Sequence, residues 1–382
     1  MKSPSKIVSS FKESIFSTMT AKANKLGAIN LSQGFPDFDG PQWIQELVTQ
    51  AMQEGHNQYA PGPGTMELRT SIKNYLNKYY QLNYNENTEV TVTNGATEAL
   101  FCSSLALINP GDEVILFEPY YDSYMACIKM AGGIPVPITL YGPDFSLDKA
   151  KIEKAFSSKT KAIFLNTPHN PTGKVFNKDE LNFLSKLILK HDVYVISDEV
   201  YEFLTFDDHN HIPIATLPSM KERTLTISSG GKTFGLTGWK VGWCAAPENL
   251  TKAIRMVHQF NTFSVAHPFQ LGMAKAIDKL EDHLKEFKPL YLQKRNLFYE
   301  GLKRANLNPI PPQGTYFIMC RIPEELNLTD IEYCYELMEK KKVAAIPPSA
   351  FYTLDTEEGK KYIRLCFAKN DETLIKAISS LQ

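Results

Sequence analysis

The chain has 382 residues, 43% of them hydrophobic and 22% charged. That length exceeds what a single hydrophobic core supports, and the composition excludes a chain disordered throughout. Lys and Arg total 41 against 42 Asp and Glu, a balance that supplies no long-range field for nucleic acid or anionic lipid.

Met1 to Ser17 mixes Lys, Ser, Glu and isolated apolar residues. It lacks the apolar core and cleavage site of a secretory signal, so the chain is expected in the cytoplasm. The longest apolar-rich stretch, Ala99 to Ile108, contains Ser103 and Ser104 and is too short to cross hydrocarbon, so no membrane role is expected. From Thr88 onward, short β-branched runs alternate with helical patterns. Glu89–Thr93, Glu113–Phe117, Lys161–Leu165, Val193–Ser197 and Thr224–Ser228 read as buried strands. Asp179 to Leu189 shows a period near 3.6, and Pro110-Gly111 and Gly132-Gly133 break elements apart. This is the pattern of a mainly parallel sheet covered by helices on both faces.

After Lys252 the texture changes. Helices are expected over Thr251–Phe260 and over one long span, Ala274–Ala305, that links two domains. There follow a strand (Thr315–Arg321), a helix (Thr329–Lys341), strands at Val343–Ile346 and Tyr362–Ala368, and a helix at Asp371–Leu381. The expected division is an N-terminal arm with part of a small domain (1–40), a large domain (41–280) and a small α+β domain (281–382). The six cysteines are scattered with no Cys-x-x-Cys and no His at ligand spacing, so neither a metal site nor a disulfide framework is expected.

Three segments are candidates for chemistry. Ser228 to Lys240 fixes Lys232 between tight glycine turns, with Ser229 three residues before it and Lys240 eight after; taken alone, such a lysine is usually a solvated surface charge. It is no nucleotide-hydrolase loop, because the position needing the first glycine is Thr226, inside a strand. A dinucleotide fingerprint also fails, since Gly62-x-Gly64 is followed at the third position by Glu67. Asp198-Glu-Val-Tyr201 stands beyond the end of the strand closing at Ser197, where open α/β sheets bind ligands; an ordinary helix cap is the bland alternative. Asn166-Thr-Pro-His-Asn-Pro-Thr-Gly173 gives a rigid loop able to aim an amide. Together these meet the needs of pyridoxal phosphate: a lysine for an imine, an acid at the ring nitrogen, donors to the ring oxygen and a phosphate cradle.

With those segments, Asn30-Leu-Ser-Gln-Gly-Phe-Pro-Asp-Phe, Asn57-Gln-Tyr-Ala-Pro-Gly-Pro-Gly, Thr93-Asn-Gly-Ala-Thr-Glu-Ala and Tyr362-Ile-Arg-Leu-Cys-Phe make the whole chain resemble the fold type I pyridoxal-phosphate aminotransferases of class I/II. Within that class it resembles the branch holding methionine, glutamine and kynurenine aminotransferases. The resemblance implies a mainly parallel seven-stranded sheet between helices, with a smaller α+β domain. It implies that Lys232 attaches the cofactor and then moves a proton as a base, that Asp198 pairs with the ring nitrogen, and that Asn170 and Tyr201 bond the ring oxygen. Tyr121 would stack on the ring, with Tyr120 its rival. Ala96, Thr97, Ser229 and Lys240 would hold the phosphate at a helix N-terminus, Lys240 standing where many relatives have arginine. Tyr59 would reach the phosphate of a second subunit, which implies a homodimer with shared sites.

Arg364 would grip the substrate carboxylate beside the backbone of Gly34, or else pair with a core acid. Asn166 would support Asp198 or that carboxylate. Phe16, with Tyr59 and the Phe263 region, suits an apolar, aromatic or glutamine-like amino acid, its partner being a 2-oxo acid; Phe260 and Phe263 read equally as core. His209 and His211 read as surface residues in an acidic loop. The implied reaction is ping-pong transamination, with a carbon–sulfur β-lyase of cysteine-conjugate or cystathionine type as the alternative. A cofactor-sensing regulator would need a basic helix-turn-helix arm, and the residues before Leu31 show none.

Overall fold

The computed structural model describes residues 2–11 and 13–382. Seven strands form one sheet in the order Val90–Asn94, Val241–Ala245, Thr224–Ser229, Tyr194–Asp198, Thr160–Asn166, Glu113–Glu118, Ile134–Thr139. All neighbours run parallel except Val241–Ala245, which is antiparallel to both of its partners. Alternate side chains divide between two cores. Val114, Leu116, Phe164, Ile196 and Ile227 pack under helices Gly95–Leu107, Asp122–Met130 and Glu248–Asn261. Ile115, Phe117, Ile163, Leu165 and Val195 face the helices Lys149–Ala155 and Lys178–Lys190. Burial on both faces is why these strands read as continuous apolar runs.

Two strands escaped the periodicity argument. Ile134–Thr139 contains Pro135 and Pro137, tolerable because it is an edge strand paired on one side only. Val241–Ala245 follows directly on Lys240, whose left-handed backbone (φ 55°) turns the chain back along the sheet. The single long helix expected over Ala274–Ala305 is two helices, His267–Asp278 and Leu280–Arg304, broken where Lys279 leaves helical geometry (ψ 16°).

Beyond the large sheet, Phe317–Arg321 pairs antiparallel with Tyr362–Cys366. Ile29–Asn30 pairs in parallel with Val343–Ala344. Leu31 then bridges the two pairs, donating its N–H to Ala344 O and accepting from Cys366 N–H at 2.9 Å. The N-terminal segment is thereby stitched into the C-terminal layer just before Gln33–Phe35, which border the cavity described next. All six cysteines are buried and unbridged. Among the described residues no helix is long and apolar enough to cross a membrane.

Candidate active site

The carboxyl ends of parallel strands converge on one cavity of about 350 Å³. Asn166 ends one strand, Asp198 ends its neighbour in direct register, and Ser229 ends the next, three residues before Lys232. Lys232 sits on a one-turn helix, Gly230–Thr233, in place of the expected glycine turn. Every residue assigned to the site from sequence lines this cavity except Tyr59: Phe16, Gly34, Ala96, Thr97, Tyr121, Asn170, Asp198, Tyr201, Ser229, Lys232, Lys240 and Arg364.

Asp198 is buried at the cavity floor. Tyr124 Oη donates to its Oδ2 at 2.6 Å, and Val200 N–H lies 3.4 Å from its Oδ1. Asn166 Nδ2 donates to the Asp198 carbonyl at 2.9 Å, while Asn166 Oδ1 accepts from Asn170 N–H at 2.7 Å, so Asn166 supports both neighbours. Burial raises the Asp198 carboxyl to about 6, opposed by the Tyr124 hydrogen bond and by Lys232. Lys232 shows the converse: burial pushes its amine down to about 8. Its Nζ donates to Tyr316 Oη at 2.9 Å and to Gly34 O at 3.3 Å.

One end of the cavity is cationic and rich in backbone donors. Gly95 opens the helix Gly95–Leu107 at φ 69°, and a Cβ there would stand 3.3 Å from Lys240 Nζ. Gly242 lets the strand touch that helix start, since its Cβ would fall 2.5 Å from the Gly95 carbonyl carbon. Lys240 Nζ reaches Thr97 Oγ1 at 3.5 Å. The first N–H groups of a helix have no intrahelical acceptor, so this end is built for an anion.

The opposite wall holds Arg364, 1% exposed. Its Nη1 donates to Asn170 Oδ1 (3.1 Å) and its Nη2 to Ser32 O (2.8 Å), while buried Nε has no partner. Phe317 lies 4.1 Å from its guanidinium carbon, with Phe16 and Phe351 at 5.3 and 5.7 Å. Among the described residues no carboxylate pairs with it, which removes the core-acid alternative. Because Arg364 occupies Asn170 Oδ1, the Asn170 Nδ2 is left as the donor toward the cavity.

The structure places the remaining candidates, correcting the expectations for Tyr120 and His211. Tyr120 is buried in the core beneath the helix Asp122–Met130, so of the two rival tyrosines only Tyr121 lines the cavity. Tyr59 is 83% exposed and meets Phe263 edge-on at 5.3 Å, outside this chain's cavity. Ser264 Oγ, donating to Ala60 O at 3.0 Å, ties their two segments together on the outer surface. Phe260 and Phe263, 79% and 49% exposed, belong to neither core nor cavity. His211 is buried against Glu199 (Nε2 to Oε2, 2.8 Å), the opposite of a surface residue. Tyr124, Tyr316 and Phe317 were missed. Only Tyr124 carried a signal, standing one helical turn after Tyr121.

Comparison with known proteins agrees with this geometry. Residues 27–381 match the family described as aminotransferase class I and II. A methionine aminotransferase from Escherichia coli strain K12 is 41% identical over 368 residues, spanning 96% of this chain and 95% of its own. A kynurenine–oxoglutarate transaminase from Dictyostelium discoideum is 40% identical over 415 residues, spanning 99% and 95%. Among solved structures, an Escherichia coli protein with methionine aminotransferase function superposes with a TM-score of 0.95 at 40% identity, covering 100% of this chain and 99% of that one. N-Succinyldiaminopimelate aminotransferase from Mycobacterium tuberculosis gives 0.95 at 38% identity, covering 99% of each. The chain therefore belongs to the class I and II aminotransferases and is a transaminase.

Proposed function

We propose that this transaminase uses pyridoxal 5'-phosphate to move the amino group of methionine, or of a similar apolar, aromatic or glutamine-like amino acid, to a 2-oxo acid by a ping-pong mechanism. The observation carrying this reading is that one cavity holds an amine lowered to about 8, a buried carboxylate, and cations at both ends. The donor set fits the cofactor. The helix start at Gly95 with Ser229 and Lys240 suits a phosphate dianion, Asp198 a protonated ring nitrogen, and Asn170 Nδ2 with the Tyr201 phenol the ring oxygen. The buried, unpartnered Arg364 Nε marks a cation prepared for an incoming carboxylate.

When bound, the cofactor supplies an electron sink for the charge left as the substrate α-proton departs. This chain's residues do the rest. Lys232 would hold the cofactor, and its Nζ would take and return the substrate proton; the lowered basicity lets a neutral fraction exist near neutral pH. Asp198, steadied by Tyr124 and Asn166, keeps a negative charge where the ring nitrogen binds. Arg364 orients the α-carboxylate, and the Tyr121 ring closes one face of the cavity. Phe16, Phe317 and Phe351 around Arg364 support an apolar side chain. Among the described residues the cavity's only cations are Lys232, Lys240 and Arg364, which leaves none for a distal carboxylate.

The reading includes a homodimer in which the exposed Tyr59 serves the partner's phosphate site, and a cytoplasmic location consistent with six unbridged cysteines. It also keeps the division at residues 40 and 280, supported by the pairing of Ile29–Asn30 with Val343–Ala344. Single-turnover absorbance changes of the loaded enzyme, taken with each amino acid in turn, test it. Methionine and its apolar or aromatic analogues should convert the cofactor fastest; a preference for aspartate, or no conversion with any amino acid, would contradict it.

A further inference from the structure

The mechanism leaves one close partner of Lys232 without a role. Tyr316 is fully buried just before the strand Phe317–Arg321 and was not singled out from sequence. Its Oη lies 2.5 Å from Gly34 O and 2.9 Å from Lys232 Nζ. A carbonyl only accepts, so the single phenolic hydrogen is committed to Gly34. The phenol oxygen is thereby left as an acceptor facing Lys232, and Nζ is held by two acceptors, Tyr316 Oη and Gly34 O.

The phenol has no freedom to leave this position. Its ring meets Tyr201 edge-on at 5.1 Å and Phe317 at 4.9 Å, and stacks with Tyr291 at 6.2 Å and 25°. Burial keeps it protonated. Upstream, Thr315 takes a positive φ of 66° and donates its N–H to Leu204 O at 2.9 Å, fixing how the chain enters the strand. Gly34 is equally confined, since a Cβ there would come within 2.8 Å of the Phe317 ring.

We infer that Tyr316 is a positioning residue that holds the free Lys232 amine in place while that amine takes and returns the substrate proton. A lysine side chain has enough rotamer freedom that an unanchored amine spends much of its time misaligned, and proton transfer is sensitive to small displacements. The inference rests on the reading of Lys232 given above.

The test uses Tyr316→Phe, which keeps the ring contacts and removes both hydrogen bonds. In the full enzyme loaded with pyridoxamine phosphate, where the lysine amine is free, Lys232 acylation by acetic anhydride is followed against pH by peptide mass spectrometry. Loss of one acceptor should lower the labelling midpoint by about 0.7 pH unit, the equivalent of one ordinary hydrogen bond. In the same variant kcat should fall roughly 10- to 100-fold with the methionine KM little changed, and the α-deuterium isotope effect should rise as proton transfer becomes limiting. A lowered midpoint together with a larger isotope effect supports the inference; absence of either overturns it. Should Phe disturb folding, Tyr316→3-fluorotyrosine weakens the acceptor without changing the packing and gives the same two readouts. Failure of the cofactor to attach at Lys232 in the unaltered enzyme would instead overturn the reading of Lys232, a separate result.

Discussion

Burial works against both charges at the centre of the cavity, raising Asp198 to about 6 and lowering Lys232 to about 8. For Asp198 the sign is definite. A folded-state value above the ordinary one means the ionised carboxylate costs the cofactor-free protein stability, a cost absent below about pH 4 and complete above about pH 6. Asp198→Asn, still able to accept the Tyr124 hydrogen bond, should therefore stabilise the cofactor-free protein at pH 8 by up to about 3 kcal/mol. Thermal unfolding should show that gain shrinking to nothing near pH 4, while the same variant loses transamination about 100-fold or more. Arg364 stood out in the sequence because a cation inside an apolar strand demands a reason, whereas Lys232 and Asp198, each alone a surface charge or a helix cap, stood out only in combination and through the family resemblance. Tyr316 did not, since an aromatic residue at strand spacing reads as packing until its hydroxyl partner is known, and Tyr124 offered only its spacing of one helical turn from Tyr121. His211 was misread because its acidic, polar neighbours suggested solvent, whereas Glu199 buries it.

Glu118 ends the strand Glu113–Glu118 and clips a distant segment to the large sheet. Its carboxylate accepts from the backbone N–H groups of Thr353, Leu354 and Asp355 at 2.7, 3.1 and 2.9 Å, and from Thr139 Oγ1 at 2.8 Å. That segment follows Phe351, which borders Arg364. Glu118→Gln sets an amide NH₂ against backbone donors and should cost about 2–4 kcal/mol. Urea unfolding should register this as a lower midpoint with an unchanged slope; a variant as stable as the parent would contradict the clip. Buried parallel strands announced themselves by apolar runs bounded by breakers. Ile134–Thr139 did not, because edge position tolerates its prolines, and the break at Lys279 was hidden by uninterrupted amphipathic character on either side.

Across the whole molecule, the exposed ring of Tyr59 meets Phe263, with Phe260 and Met256 also exposed on the helix just before it. Apolar surface of this kind on a folded chain is expected to be covered. Sedimentation should give a dimer. Phe260→Asp combined with Phe263→Asp should shift it to monomer and weaken cofactor retention, whereas an unshifted mass would place the interface elsewhere. The overall architecture was legible because alternation of strands and helices leaves few topologies. The pairing of Ile29–Asn30 with Val343–Ala344 was not, being a contact between distant segments that no local pattern encodes.

The central claim, that Lys232 is the amine to which the cofactor attaches, is tested most directly by borohydride reduction of the loaded enzyme followed by peptide mapping. A single phosphopyridoxyl adduct on Lys232 is expected. An adduct on any other lysine, or none, would contradict the account.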